Sequence, residues 1–313
     1  MSTALLFPGQ GAQKVGMGRD LAEAFPVARE TFAIADRVLG FPLSRLAFEG
    51  PQDELTSTEN AQPAIYTASV AALRVLQEHG VRADVALGHS IGEYAALVCA
   101  GALEFEAGLA LVRRRGELMA ECARNVGGTM AAVVGLEDDA VRELAARIAA
   151  GRVLRASLFN APGQVVVSGE AEAVDDLCAA AKAVGAKRTI GLEVSGAWHT
   201  PLMQGAADRF APVLDAAPIA DPVVPVIANV SAQPVTTAAE VRGALKAQIV
   251  GAVLWGPSLA LLSGLGVTRG IEAGADVVAG MLRRAAPDVA AYSVYDSASL
   301  AKVLQSLGRD GDS

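Results

Sequence analysis

The chain is short of several things, and each shortage removes a class of function. Only 4% of its residues are aromatic, and it has 3 cysteines in 313 residues. Cys99, Cys122 and Cys178 are odd in number and share no metal-ligand spacing, so they describe neither a disulfide framework nor a metal site. They read as small buried residues in a reducing cytosol. No apolar stretch reaches the roughly 18 residues that a membrane span requires. The opening Met1-Ser-Thr-Ala-Leu-Leu-Phe7 has no basic start and no small-residue cleavage site. No membrane association is expected, and the expected location is cytoplasmic. The net charge is −8 and no basic run exceeds Arg113-Arg114-Arg115, which argues against nucleic acid as a partner. Histidine is scarce too, at 3 residues, so any chemistry that needs an imidazole has few candidates.

What is present suits a well-buried α/β core: 52% hydrophobic residues and 32 glycines. Ala4-Leu-Leu-Phe7 reads as a first buried strand running into the loop Pro8-Gly-Gln-Gly-Ala-Gln13. That loop lacks the third glycine of a dinucleotide fingerprint and looks built to bring backbone close to a ligand. A helix is expected over Arg19 to Leu39, and another from caps at Thr56 to Asn60, with Pro63 just inside it, to His79-Gly80. A long helix from about Glu104 to Ala123 carries the three arginines.

After Gly127-Gly128 the texture changes. Strands at 130–134, 153–159, 165–168 and 187–194, with helices at 138–149 and 171–184, give the order β-α-β-β-α-β of a ferredoxin-like unit inserted whole. The α/β pattern then resumes. It has a helix from Pro201, a strand over 223–228, helices around 238–250 and 257–265, a strand over 267–271, a helix over 277–284 and a last helix after Asp296. The tail Gly308 to Ser313 has nothing to bury and is expected to be loose.

Gly88-His-Ser-Ile-Gly92 organises the rest. It has the G-x-S-x-G spacing of a nucleophile elbow, between a short apolar run, 83–87, and a small-residue helical stretch, 93–100. Gly88 and Gly92 would let strand and helix approach closely, and the backbone N–H of Ile91 would be free for an oxyanion. The competing reading is a glycine-rich turn that happens to contain serine. A serine nucleophile needs a base. His79, at a helix end, reads as a cap on backbone carbonyls, and His89 reads as a brace for the elbow. That leaves His199, in a loop between strand and helix. Arg115 lies on the helix side of Leu111, Leu118 and Met119, where a guanidinium needs a partner. It could pair with an internal carboxylate or wait for a substrate carboxylate, and the sequence leaves both open.

Taken together, Gly9-Gln-Gly11, Gln62-Pro-Ala64, Gly88 to Gly92, Arg115-Gly116, Asn160 with Pro162-Gly-Gln164, His199, Asn229-Val230 and Gln248 resemble a known family in kind and in order. The chain resembles the malonyl-CoA:acyl carrier protein transacylases of type II fatty acid synthesis. It is also similar to the acyltransferases of polyketide synthases. The resemblance runs from Phe7 to about Leu304. It implies an α/β fold, with a large α/β-hydrolase-like subdomain built on a parallel sheet, residues 1–126 and 196–313. A small ferredoxin-like subdomain, residues 127–195, would be inserted in it.

The resemblance also implies roles. Ser90 would be acylated by malonyl-CoA with His199 as base, and Gln248 would orient the histidine through its backbone carbonyl. Backbone N–H groups of Gln10 and Ile91 would form the oxyanion hole, and Arg115 would bind the malonyl carboxylate. Gln62 and Asn160 would line the pocket, while Asn229 would be structural. No metal and no bound cofactor is implied, and a monomer is expected. The partner would be an acidic acyl carrier protein, docked by the local basic pairs Lys187-Arg188 and Arg283-Arg284.

Two departures stand out. Trp198 precedes the histidine where malonyl-selective relatives often carry phenylalanine or serine, and its ring would crowd a 2-methyl branch. Gly274-Ala-Asp-Val-Val278 replaces the family's usual Gly-Pro-Gly-Lys, which leaves the shape of that loop open. The competing functions are a trans-acting polyketide acyltransferase with the same chemistry, a serine thioester hydrolase, and a non-catalytic carrier-binding module. The last is disfavoured because Ser90 and His199 are both present.

Overall fold

The computed structural model describes residues 2–308, so residues 309–313 of the tail expected to be loose lie outside the described residues. Among those described, the strands in chain order are β1 (Ser2–Phe7), β2 (Val85–Gly88), β3 (Thr129–Val134), β4 (Leu154–Ala161) and β5 (Gln164–Gly169). They continue with β6 (Arg188–Gly191), β7 (Val226–Ile227), β8 (Pro234–Val235), β9 (Val267–Ala273) and β10 (Ala290–Val294).

The larger sheet has the order β10-β9-β1-β2-β7-β8, all parallel except β8. Central β1 is apolar from Ala4 to Phe7 because helices cover both faces, as a parallel sheet demands. One face packs on the core that includes Thr58–Glu78 and Phe105–Val126; the other packs on Trp255–Gly264 and Ala279–Ala285. The smaller sheet, β4-β5-β3-β6, is antiparallel and carries Asp138–Ala149 and Ala171–Ala183 on one face, as the β-α-β-β-α-β pattern predicts. Phe159 N donates to Val253 O at 2.9 Å and Val253 N to Ser157 O at 2.8 Å, joining β4 to the segment that leads into Trp255–Gly264.

Several elements differ from expectation for local reasons. The expected helix 19–39 is two, Arg19–Ala24 and Pro26–Leu39, because Pro26 starts a new helix. Pro63 lies deeper in Thr58–Glu78 than the first turn. Its missing N–H frees the carbonyl of Glu59, which accepts from Arg113 Nη1 at 2.9 Å. The expected strand 187–194 shortens to Arg188–Gly191, with flanking bonds from Lys187 N to Val134 O at 2.8 Å and from Leu192 N to Met130 O at 2.9 Å, and Leu192, Glu193 and Val194 line a cavity. The strand expected over 223–228 shortens to Val226–Ile227, just after Pro225. Leu43–Glu49, Gln52–Thr56, β8 and β10 have no counterpart in the sequence reading. The three cysteines are half-buried rather than buried, with free thiols. The loop at 274–278 is shaped by Glu272, whose carboxylate accepts from the backbone N–H of Val277 and of Ala279, the latter at 2.8 Å.

Candidate active site

The carboxyl ends of β1 and β2 lie side by side and open onto a cleft, the usual site position in an open α/β sheet. Ser90 sits two residues past β2 with φ 50°, in the left-handed region. The turn closes only because of its glycines. A Cβ on Gly88 would overlap the backbone of Gly92, and one on Gly92 would overlap the carbonyl of Phe7. Asn229 clamps the turn: its Oδ1 accepts from Ser90 N at 2.6 Å and its Nδ2 donates to Gly88 O at 2.7 Å.

His199, with φ 61°, places Nε2 2.9 Å from Ser90 Oγ. Its Nδ1 faces two carbonyls, Gln248 O at 2.8 Å and Gly251 O at 3.1 Å. Carbonyls only accept, so Nδ1 carries the proton and Nε2 is free to take the one on Ser90. Burial, with the charge of Arg115, holds this imidazole down to about 3, so it stands neutral. Gln248 ends the helix Ala238–Gln248, where a last-turn carbonyl has no partner within the helix and the dipole favours a positive charge.

Arg115 is buried, 1% exposed, with Nη1 2.9 Å from Gln62 Oε1 and Nη2 2.9 Å from Gln248 Oε1 and 3.2 Å from Ser90 Oγ. The Tyr94 ring lies 5.9 Å from the guanidinium carbon. Burial lowers the arginine from its ordinary value. Among the described residues, no carboxylate lies within ion-pair distance of it, whereas Arg113 and Arg114 both pair with Glu117. A cavity of about 270 Å³ opens over Ser90, lined by Gln10, Ile91, Arg115, Leu192, Trp198 and His199 among others. Among the described residues, no group of three or more His, Cys, Asp or Glu could hold a metal ion.

A buried fork held by amides beside an activated serine is an arrangement for acyl groups, and residues 4–259 match the acyl transferase domain. The chain belongs to the acyl transferase family. It is 42% identical over 311 residues to the malonyl CoA-acyl carrier protein transacylase of Bacillus subtilis, covering 99% of this chain and 98% of that one. The protein of the same name from Escherichia coli strain K12 is 40% identical over 304 residues, covering 96% and 98%. A solved malonyl-transacylase in complex with its type II PKS acyl-carrier protein superposes with a TM-score of 0.95 at 40% identity, over 98% of this chain and 100% of that one. An acyl carrier protein S-malonyltransferase from Vibrio cholerae gives 0.93 at 41% identity, over 97% and 100%.

Within this acyltransferase, Ser90, His199, Gln248 and Arg115 converge, and Gln10, Ile91 and Trp198 line the cavity. Gln62 and Asn160 stand behind its wall rather than in it: Gln62 holds Arg115, and Asn160 Oδ1 accepts from His89 Nε2 at 2.9 Å. His89 thus braces the elbow, and His79 Nδ1 meets Val75 O at 2.8 Å, at a helix end. Lys187, Arg188, Arg283 and Arg284 are exposed and none lines the cavity. Arg188 and Gln164 flank Val134 in register, on the face of the small sheet that Met130 turns to the cavity, and Arg284 donates to Gln164 Oε1. Arg283 points elsewhere, toward Ala291 O. Sequence reasoning missed Glu93, 2% exposed one turn after Ser90, whereas Asn229 has the structural role that the resemblance implies. A lone charge in a small, apolar helix was the signal for Glu93.

Proposed function

We propose that this acyltransferase moves the malonyl group from malonyl-CoA to the phosphopantetheine thiol of an acyl carrier protein, by a ping-pong mechanism through malonyl-Ser90. The observation that carries the reading is one oxygen with two neighbours: Ser90 Oγ lies 2.9 Å from His199 Nε2 and 3.2 Å from Arg115 Nη2. Neutral His199 takes the hydroxyl proton as Oγ attacks the thioester carbonyl. The oxyanion is held by the N–H groups of Gln10 and Ile91, and the Gln248 carbonyl stabilises the imidazolium. Collapse expels the coenzyme A thiolate, which takes the proton from His199. The carrier thiol then repeats the cycle in reverse on the acyl-serine. Arg115 binds the malonyl carboxylate through its Nη groups, its contact to Oγ giving way as Oγ becomes an ester.

In this reading residues 1–126 and 196–313 carry the nucleophile, base and fork, and residues 127–195 close the cleft above them. The protein works as a monomer in the cytoplasm, with every reacting group supplied by one chain and no bound cofactor. Among the described residues, no helix is long and apolar enough to cross a membrane. Lys187, Arg188, Arg283 and Arg284 attract the acidic carrier, and Trp198 narrows the pocket against a 2-methyl branch. Fatty acid and polyketide carriers would be served by the same chemistry.

Intact-protein mass spectrometry after mixing with malonyl-CoA tests the reading. The expected result is one malonyl adduct, mapped to Ser90, absent in Ser90→Ala and discharged by holo carrier protein. Rapid release of malonate with no carrier present would point to a hydrolase instead, and absence of any adduct on Ser90 would overturn the mechanism.

A further inference from the structure

Keeping a carboxylate in the first turn of a small, apolar helix, out of water, is costly unless it does something there. Glu93 Oε2 accepts from Gln248 Nε2 at 2.5 Å and from Asn229 N at 3.4 Å. The same Gln248 amide donates to Ser90 O at 3.0 Å, and its Oε1 accepts from Arg115 Nη2 at 2.9 Å. The amide therefore stands between a buried anion and a buried cation, with its N–H end toward Glu93 and its carbonyl end toward Arg115. Flipped, it would turn N–H groups on the guanidinium and a carbonyl on the carboxylate, so only one orientation satisfies both neighbours.

Spacing matters as much as orientation. A carboxylate in direct contact with Arg115 would occupy the fork that the substrate needs. Set one amide away, Glu93 supplies the opposite charge while leaving the fork open. Burial pushes its carboxyl up to about 7, opposed by the hydrogen bond from Gln248 and the charge of Arg115, so the charge it lends the guanidinium is partial at neutral pH and grows above it.

We propose that Glu93 is a positioning residue. It fixes the amide of Gln248 and through it aims the Arg115 guanidinium at the carboxylate of the incoming acyl group. The inference rests on the malonyl reading above, and it concerns how charged and uncharged acyl groups are told apart. A merely structural Glu93 would not act through Arg115, so its loss would slow every thioester alike.

The test measures the rate of acylation of Ser90 by malonyl-CoA and by acetyl-CoA in wild type, Glu93→Gln and Glu93→Asp. The first variant keeps the shape and removes the charge. The second keeps the charge and is too short to reach Gln248, and it decides the point should the first not fold. In either variant the preference for malonyl over acetyl is expected to fall about tenfold or more, chiefly through a slower malonyl reaction. In a Gln248→Ala background, Glu93→Gln is expected to change the preference by less than about twofold, because the link is already cut. Equal slowing of both thioesters beside a malonyl-selective wild type would overturn this inference alone, as would full additivity in the double variant. A wild type that takes acetyl as fast as malonyl would overturn the malonyl reading and this inference with it.

Discussion

Two regions of the molecule hold their charges differently. Around Ser90, the charged and polar groups, Arg115, Glu93, Gln248, Gln62, Asn229 and His199, are buried and bonded to one another. Along β6 and the end of Ala279–Ala285, the basic residues Lys187, Arg188, Arg283 and Arg284 stand in water. In a low-dielectric interior a misplaced group has no solvent to fall back on, so geometry is strict and single changes are severe. In water each charge is screened and mobile, so attraction is spread over many residues and each is worth little. In the function proposed here, selection of the acyl group would belong to the first region and recruitment of its acceptor to the second.

The largest effect expected is from Arg115→Ala. If Arg115 pairs with the substrate carboxylate as proposed, removing this buried cation should cost about 3–5 kcal/mol of transition-state binding for malonyl-CoA. Acetyl-CoA should gain or hold its rate, so the preference inverts, as parallel acylation assays would read. A malonyl preference that survives would break the contrast at its root. Next comes Trp198→Ala. Enlarging the wall beside His199 should raise methylmalonyl transfer relative to malonyl by about 10–100-fold, the range one methyl group commands in an apolar pocket. Comparable rates for the two thioesters in wild type would show that the ring excludes nothing. The smallest effect expected is from Arg188→Glu: an apparent carrier affinity weaker by about 3–10-fold at low salt, fading at high salt, with acylation by malonyl-CoA unchanged. A carrier dependence that does not move would remove Arg188 from the docking surface.

These two regions were also unequally legible. The elbow could be read because its requirements are local: two glycines, a strand before and a helix after, all between residues 83 and 100. His199 followed because the chain offers only three histidines and two of them had duller positions. For Arg115 the apolar helix face was readable, but what faced it was not, since Gln62 and Gln248 lie 53 and 133 residues away in the chain. Gln248 came from resemblance alone; nothing in its neighbourhood sets it apart. Asn229 too came from the resemblance, as a structural residue, whereas Glu93 went unread because its partner Gln248, 155 residues distant, meets it only in three dimensions. The small sheet was legible as a pattern of alternating elements, whereas the placing of Leu192 to Val194 along the cavity depends on what lies across from them.

Ser90 and His199 both hold backbone angles that side chains other than glycine disfavour. Each such residue costs the fold on the order of 1–2 kcal/mol. Their surroundings must therefore bind them more firmly than stability alone would require. If Ser90 and His199 exchange the proton as proposed, variation that relaxes either position would yield a sturdier, idle protein, and selection for robustness and selection for turnover would pull in opposite directions there.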